Sequence, residues 1–238
     1  MNIHPITWTE EKINDFWNYM SKSKSANDKY FSKEVGNEII NLALKYSKLD
    51  GKILDYGCGT GFLIGYLIDK GISCSGIDSS VKSLDLINEK FKNNKLFKGA
   101  ILAKDFPLPI KNDSFDFIFF VETIEHILPE KREVLLREFH KILKKNGKIL
   151  VTTPNNENLD KNKNFCPECG CVFHRMQHVD YFDEKKLSNL LNEAGFNRLF
   201  CKGLILPKDN KEKIKLFVKK TLRLNYKKPH LVYVGIKI

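Results

Sequence analysis

A chain of 238 residues, 42% of them hydrophobic, is long enough to bury one α/β core and too apolar to be mainly disordered. No apolar run reaches the ~20 residues of a membrane span, and the opening MNIHPITWTEEK has no charged-then-apolar leader pattern, so a cytoplasmic protein with reduced cysteines is expected. The net charge of +11 suits an anionic partner, whether nucleic acid, a phosphorylated or nucleotide-linked substrate or an anionic membrane surface; a generally lysine-rich composition explains it equally well.

In chain order, residues 7–20 predict an amphipathic helix. Thr7 and Glu10 form a capping box, and Ile13, Phe16, Trp17 and Met20 share one face. SKSKSAND is a polar break. Ser32 is then placed to cap a second helix whose buried stripe is Val35, Ile39, Leu42 and Tyr46. Residues 1–48 are read as helices covering a domain of residues 49–238. From Lys52 strands are predicted near 52–56, 73–78, 96–103, 115–121 and 146–153, with helices near 61–70, 80–91, 130–144 and 183–194. This alternation argues a parallel sheet with helices on both faces. A strand near 198–206, a basic segment and a last strand at 230–238 complete the chain.

KILDYGCGTGFL, residues 52–63, reads as a buried strand, a glycine turn and a helix start. The glycines allow positive φ and close approach of a ligand to the backbone, and the helix beyond offers free N–H groups. Asp78 ends the next apolar run, where an acid can hydrogen-bond both hydroxyls of a ribose. Asp55-x-Gly57-x-Gly59-x-Gly61 with Asp78 resembles the class I S-adenosylmethionine (SAM) dependent methyltransferases. The third glycine comes one residue too early for the Gly-x-Gly-x-x-Gly phosphate fingerprint of dinucleotide folds. The resemblance implies a Rossmann-like, mostly parallel sheet of seven strands with helices on both faces. It implies that the glycine turn holds the amino-acid part of SAM and Asp78 its ribose. Asp105 would face the adenine amino group, with Phe106 beside the ring. In small-molecule members two leading helices cover the active site, with Trp17, Tyr30 and Phe31 as candidates to line it.

Glu122, Glu125 and His126 begin where the fourth strand ends, at the sheet edge where such folds bind ligands. Their i, i+3, i+4 spacing puts all three on one face of a helical turn, and two carboxylates with an imidazole suit a hard cation such as Mg²⁺ or Mn²⁺. Two acids at a helix start with a locally hydrogen-bonded His is the competing account. Glu-x-x-Glu-His also resembles two metal-dependent O-methyltransferase groups, the ubiquinone-biosynthesis enzymes and the small-RNA 3′-terminal 2′-O-methyltransferases. In the RNA group a later His completes the site, and His178 is the matching residue.

Cys166-Pro-Glu-Cys169-Gly-Cys171-Val-Phe-His174, inside an insert at about 155–180, reads as a structural zinc knuckle. Cys166, Cys169 and His174 are the expected ligands, with Cys171 or His178 as the fourth. Cys58, Cys74 and Cys201 are expected to be inert core. Residues 208–228 carry nine basic residues against two acids. Ile214, Phe217, Val218 and Leu222 form a helical stripe there, expected to dock on the body with its lysines solvated; a basic helix for a membrane surface or nucleic acid is the other reading.

The chemistry expected is SN2 methyl transfer from SAM to a hydroxyl of a small or sugar-like metabolite, anionic through phosphate or a linked nucleotide. Glu122, Glu125, His126 and His178 are the candidate catalytic group. RNA 2′-O-methylation and a SAM-binding zinc-knuckle adaptor without catalysis are the alternatives; no RNA-binding module is recognisable.

Overall fold

In the computed structural model, which describes residues 2–23 and 30–238, the chain opens with strand β1 (His4–Pro5) and helix α1 (Glu10–Lys22). Residues 24–28 of the expected polar break lie outside the described residues. Thr9, not Thr7, caps α1, its hydroxyl accepting from the Lys12 N–H. The start is later than predicted because the chain stays in strand pairing through Ile6, whose N–H donates to the Val172 carbonyl. Helix α2 (Phe31–Ala43) starts at Tyr30 with no side-chain cap, rather than at Ser32. Tyr30 packs its ring on Phe62, so tertiary contact takes the place of the cap. Val35 and Ile39 are buried as predicted, whereas Leu42 and Tyr46 are only partly so.

The remaining elements are β2 (Ile53–Tyr56), α3 (Phe62–Asp69), β3 (Cys74–Asp78), α4 (Val81–Phe91), β4 (Phe97–Leu102), β5 (Phe115–Val121), α5 (Pro129–Ile142), β6 (Leu143–Pro154), β7 (Lys163–Phe165), β8 (Cys171–His174), α6 (Glu184–Glu193), β9 (Phe196–Leu204), α7 (Asn210–Thr221) and β10 (His230–Lys237). Seven strands form one sheet in the order β4-β3-β2-β5-β6-β10-β9. All neighbours are parallel except β10, which runs antiparallel to β6 and β9. This is the Rossmann-like, seven-stranded arrangement expected. The helix predicted over 130–144 gives way to β6 at Leu143, because a bulge opposite Phe115 and Phe117 absorbs the Lys-Asn-Gly turn into the strand.

The sheet separates two cores. Ile118 and Phe120 of β5 pack with Tyr56 and Phe139 on one face; Phe117 and Phe119 pack with Ile39, Ile53 and Leu63 on the other. This is the two-residue period of a strand buried on both sides. Helix α7 departs from expectation. Ile214, Phe217 and Leu222 are more than 60% exposed, and no α7 residue is buried. Ion pairs from Lys208 to Glu34 and from Lys213 to Glu38 hold this segment to the body instead of its apolar stripe.

The Cys-rich insert is more ordered than its sequence suggested. β7 and β8 form a hairpin, and β1 joins β8 in parallel, giving a second sheet in the order β1-β8-β7. Among the described residues no helix is long and apolar enough to cross a membrane.

Candidate active site

The chain leaves β2 toward β3 and β4, and leaves the neighbouring β5 toward β6. The crevice at the carboxyl ends of β2 and β5 is therefore the switch point of the sheet, where ligands bind in such folds. Beyond β2, Gly57, Gly59 and Gly61 all take positive φ, at 76°, 51° and 79°. The Gly57 and Cys58 N–H groups both donate to the Ile77 carbonyl. The Gly59 N–H donates to one Asp78 oxygen and the Ser80 N–H to the other, each at 2.8 Å. The Asp78 carboxylate thus clasps the glycine turn to the end of β3. Burial pushes its pKa up, against the pull of these N–H groups. A Cβ at Gly57 would fall 2.4 Å from the Thr123 hydroxyl. At Gly59 it would meet only the Tyr30 ring edge, at 3.3 Å, across open space.

That space is a cavity of about 360 Å³. Helix α1 roofs it with Ile13, Trp17 and Met20, and the start of α2 adds Tyr30 and Phe31. Gly57, Gly59, Asp78, Phe106, Glu122, Glu125, His126 and His178 line it; Asp55, Gly61 and Asp105 do not. Beyond the end of β4, Ala103, Lys104 and Phe106 face the cavity while Asp105, in the bend between them, is exposed. Asp55 is buried inside β2. Burial, then the charge of Asp78, push its carboxyl up to about 8.

This makes a stability prediction for the ligand-free protein. Asp55 has a folded pKa above its unfolded value, so its contribution is fully present below pH ~4 and is lost as pH rises toward about 8. Asp55→Asn does not titrate. Its stability relative to wild type should improve with pH across that window, with a slope of at most about 1.4 kcal/mol per pH unit. Denaturant titrations of both proteins at pH 5, 6.5 and 8 measure the difference; a constant difference would show that Asp55 is ionised throughout.

Glu122 and its neighbours form a turn unlike the regular helix expected. Glu122 takes a left-handed φ of 44° as the chain leaves β5, and its N–H donates to the Thr152 carbonyl. A single 3-10 turn, Ile124–His126, follows. Left-handed backbone at a non-glycine residue costs energy and collects at functional sites. The turn buries Glu125 and His126, leaving one oxygen of Glu122, both oxygens of Glu125 and Nδ1 of His126 without hydrogen-bond partners. His126 Nε2 lies 3.9 Å from Glu125. Burial drives the pKa values of Glu122 and Glu125 up and that of His126 well down. An unpartnered buried carboxylate is costly, and burial here favours the neutral carboxyls.

Glu125, His126 and His178 each offer one ligand atom within 4.8 Å of the others; Glu122 is not in that group. The His178 ring packs edge-on to His126 at 4.8 Å, and its Nδ1 is hydrogen-bonded to Glu157. Burial opposes ionisation of Glu157, but the imidazoles of His174 and His178 outweigh it and hold the carboxylate well below its usual range. The Trp17 ring stands edge-on to His126 at 4.8 Å, and its N–H donates to Gln177, whose amide donates to the His126 carbonyl. The sequence reading missed Glu157 and Gln177. The only signal for Glu157 was its place just after β6, at the same sheet edge as Glu122.

The zinc set expected from the sequence needs correction. Cys166, Cys169 and Cys171 bring their sulfurs within 4.8 Å of one another. His174 lies three residues along β8, roughly 10 Å away. It stacks on His178 at 4.4 Å instead, beside Glu157. Neither His174 nor His178 joins the cysteines. Cys58, Cys74 and Cys201 are buried free thiols.

A family model described as a methyltransferase domain matches residues 28–199. An uncharacterized protein of Methanocaldococcus jannaschii, MJ0638, is 32% identical over 171 residues, covering 71% of this chain and 68% of that protein. The ubiquinone biosynthesis O-methyltransferase of Pelagibacter ubique is 36% identical over 104 residues, 44% of this chain; the match spans only 42% of that enzyme. Among solved structures, a SAM-dependent methyltransferase from Methanosarcina mazei superposes with a TM-score of 0.62 at 19% identity, covering 83% of this chain and 97% of the other.

Proposed function

The chain belongs to the methyltransferase-domain family and is a SAM-dependent methyltransferase, and from that premise we propose that its acceptor is a hydroxyl on a small or sugar-like anionic metabolite. The observation that carries this reading is the buried carboxyl of Glu125, unpartnered at both oxygens, with one unpartnered oxygen of Glu122 nearby, beside His126 and His178 in one cavity with the glycine turn. SAM is intrinsically reactive, so the chain's task is to align donor and acceptor and keep water out. Gly57, Gly59 and Asp78 would hold the cofactor, with Phe106 beside its adenine. The sulfonium methyl carbon passes to the acceptor oxygen, and the hydroxyl proton must leave.

Glu125, His126 and His178, one carboxylate and two imidazoles, fit a divalent transition-metal cation such as Mn²⁺ better than the harder Mg²⁺, and the Glu125 carboxyl lacks any other partner. Such an ion, when bound, makes the acceptor hydroxyl more acidic. His178, oriented through Nδ1 by Glu157, has one other ring nitrogen: it would join the cation when one is bound, the hydroxyl proton then leaving to water, and would take the proton itself when none is. Lys104 and Lys131 at the cavity support an anionic acceptor. The roofed cavity supports a small molecule over an RNA 3′ end, and family membership sets aside the adaptor reading.

A screen of hydroxylated phosphorylated and nucleotide-linked metabolites with SAM, scored by S-adenosylhomocysteine release and by the mass and position of the new methyl, tests the proposal. Transfer only to nitrogen acceptors, or only to RNA, would overturn it. Gly59→Val should also lose SAM binding, since a branched side chain at φ 51° is strained and intrudes on the cavity opposite Tyr30. Calorimetry showing wild-type affinity in a folded Gly59→Val protein would exclude the glycine turn from the cofactor site.

A further inference from the structure

We propose that Cys166, Cys169, Cys171 and His4 bind one zinc ion that fastens β1, and through it the roofing helix α1, to the Cys-rich hairpin. The three sulfurs already lie within 4.8 Å of one another with no bond between them. The Gly170 N–H donates to the Cys166 carbonyl, the Cys166 N–H donates to the Cys171 carbonyl, and Gly170 takes φ 79°. These contacts fold Cys-x-x-Cys-Gly-Cys back on itself, which is how a short chain presents three thiolates to one point.

The fourth donor comes from the other end of the chain. His4 is in parallel register with Cys171. Residues in register on adjacent strands share a face and stand about 4.8 Å apart. Cys166 flanks Cys171 on its opposite side, so His4, Cys171 and Cys166 form a row across the small sheet, with Cys169 in the turn beside them. The His4 Nε2 is 3.2 Å from the Cys169 carbonyl oxygen and its Nδ1 3.1 Å from the Pro5 carbonyl oxygen, which puts the ring over that turn; the ring is not within 4.8 Å of all three sulfurs, so one nitrogen would have to turn from its carbonyl to reach the ion. Three thiolates and one imidazole are a closed tetrahedral set for zinc. The soft sulfurs select against Mg²⁺ and Ca²⁺. An odd number of thiols cannot be satisfied by disulfides within the group.

The ion would also reinforce a slender element. β1 is two residues long, and its backbone hydrogen bonds to the hairpin, from the His4 and Ile6 N–H groups to the Gly170 and Val172 carbonyls, are few for a strand in water. Trp8 then carries the connection onward, packing edge-on to Phe173 of β8 and to Phe16 of α1. The metal lies away from the cavity and takes no part in methyl transfer; it sets how firmly the roof is attached.

Metal analysis of protein purified without chelator should find one zinc per chain, and Cys169→Ser should lose it. His4→Ala should weaken zinc in chelator competition by at least the ~10–100-fold that loss of a mere supporting partner costs a metal site. His4→Cys should restore tight binding, and His174→Ala should leave it unchanged. Cobalt substituted into wild type should give the charge-transfer and visible bands of a tetrahedral three-sulfur, one-nitrogen site, altered in His4→Ala. Hydrogen exchange of residues 10–22 should quicken when zinc is removed. Wild-type zinc affinity and cobalt spectrum in His4→Ala would overturn the ligand assignment. Metal-free wild type with thiols equally reactive with and without chelator would overturn the site.

Discussion

Asp78→Ala is expected to lower SAM affinity by roughly 10²–10⁴-fold. Two charge-assisted hydrogen bonds to the ribose hydroxyls would go, at about 1.5–3 kcal/mol each. The same carboxylate accepts from Gly59 and Ser80, so its removal also frees the glycine turn from the end of β3. Asp78→Asn separates the two effects. Its amide oxygen can still accept one backbone N–H, so the turn should be better kept than in Asp78→Ala while affinity stays low. Calorimetry on both proteins, with thermal melts to verify folding, gives the result. Unchanged affinity in Asp78→Ala would remove this residue from the cofactor site.

Glu125→Gln is expected to lower turnover by at least ~10²-fold, as for loss of a principal electrostatic stabiliser, with SAM affinity and melting temperature near wild type. The substitution keeps size and shape and removes the charge that a hard cation requires. Burial already favours the neutral carboxyl in the metal-free pocket, so Gln replaces what is there at little cost in stability. The difference should emerge with the ion: Mn²⁺ should raise the melting temperature of wild type and not of Glu125→Gln. This readout is cleaner than EDTA treatment, which would also strip zinc. Turnover within a few-fold of wild type would end the metal reading and leave His126 as a metal-independent base or the turn as structural. Lost turnover with an unchanged Mn²⁺ response would place Glu125 in direct proton transfer instead.

The doubly wound sheet and the glycine turn were legible because they rest on local signals. Strands 53–56 and 115–121 are buried runs bounded by turns, and Gly57, Gly59 and Gly61 sit where only positive φ serves. Glu122, Glu125 and His126 could be found from spacing alone, although their conformation could not: the turn is bent by the left-handed Glu122, which no periodicity announces. Features that depend on distant partners were not legible. The small sheet joins residues 4–5 to 171–172, and strands of two to four residues carry no usable period. His174 has zinc-knuckle spacing, yet the straight course of β8 carries it to the cavity side. The apolar stripe of α7 has the right period for docking, but what it would dock on is decided by the whole surface, and ion pairs hold that segment instead.

The chain's two tryptophans both attend the roof of the cavity: Trp8 lies between Phe16 and Phe173, and Trp17 lies against His126. Indole emission is quenched by a protonated imidazole and shifts with the polarity around the ring. Excited at the red edge of absorption, where the eight tyrosines do not absorb, the indole fluorescence of this protein is therefore a label-free optical signal from the roof and its anchorage. Stopped-flow traces of that emission would time what happens at α1 when cofactor and acceptor are added separately, without a dye and without waiting for product.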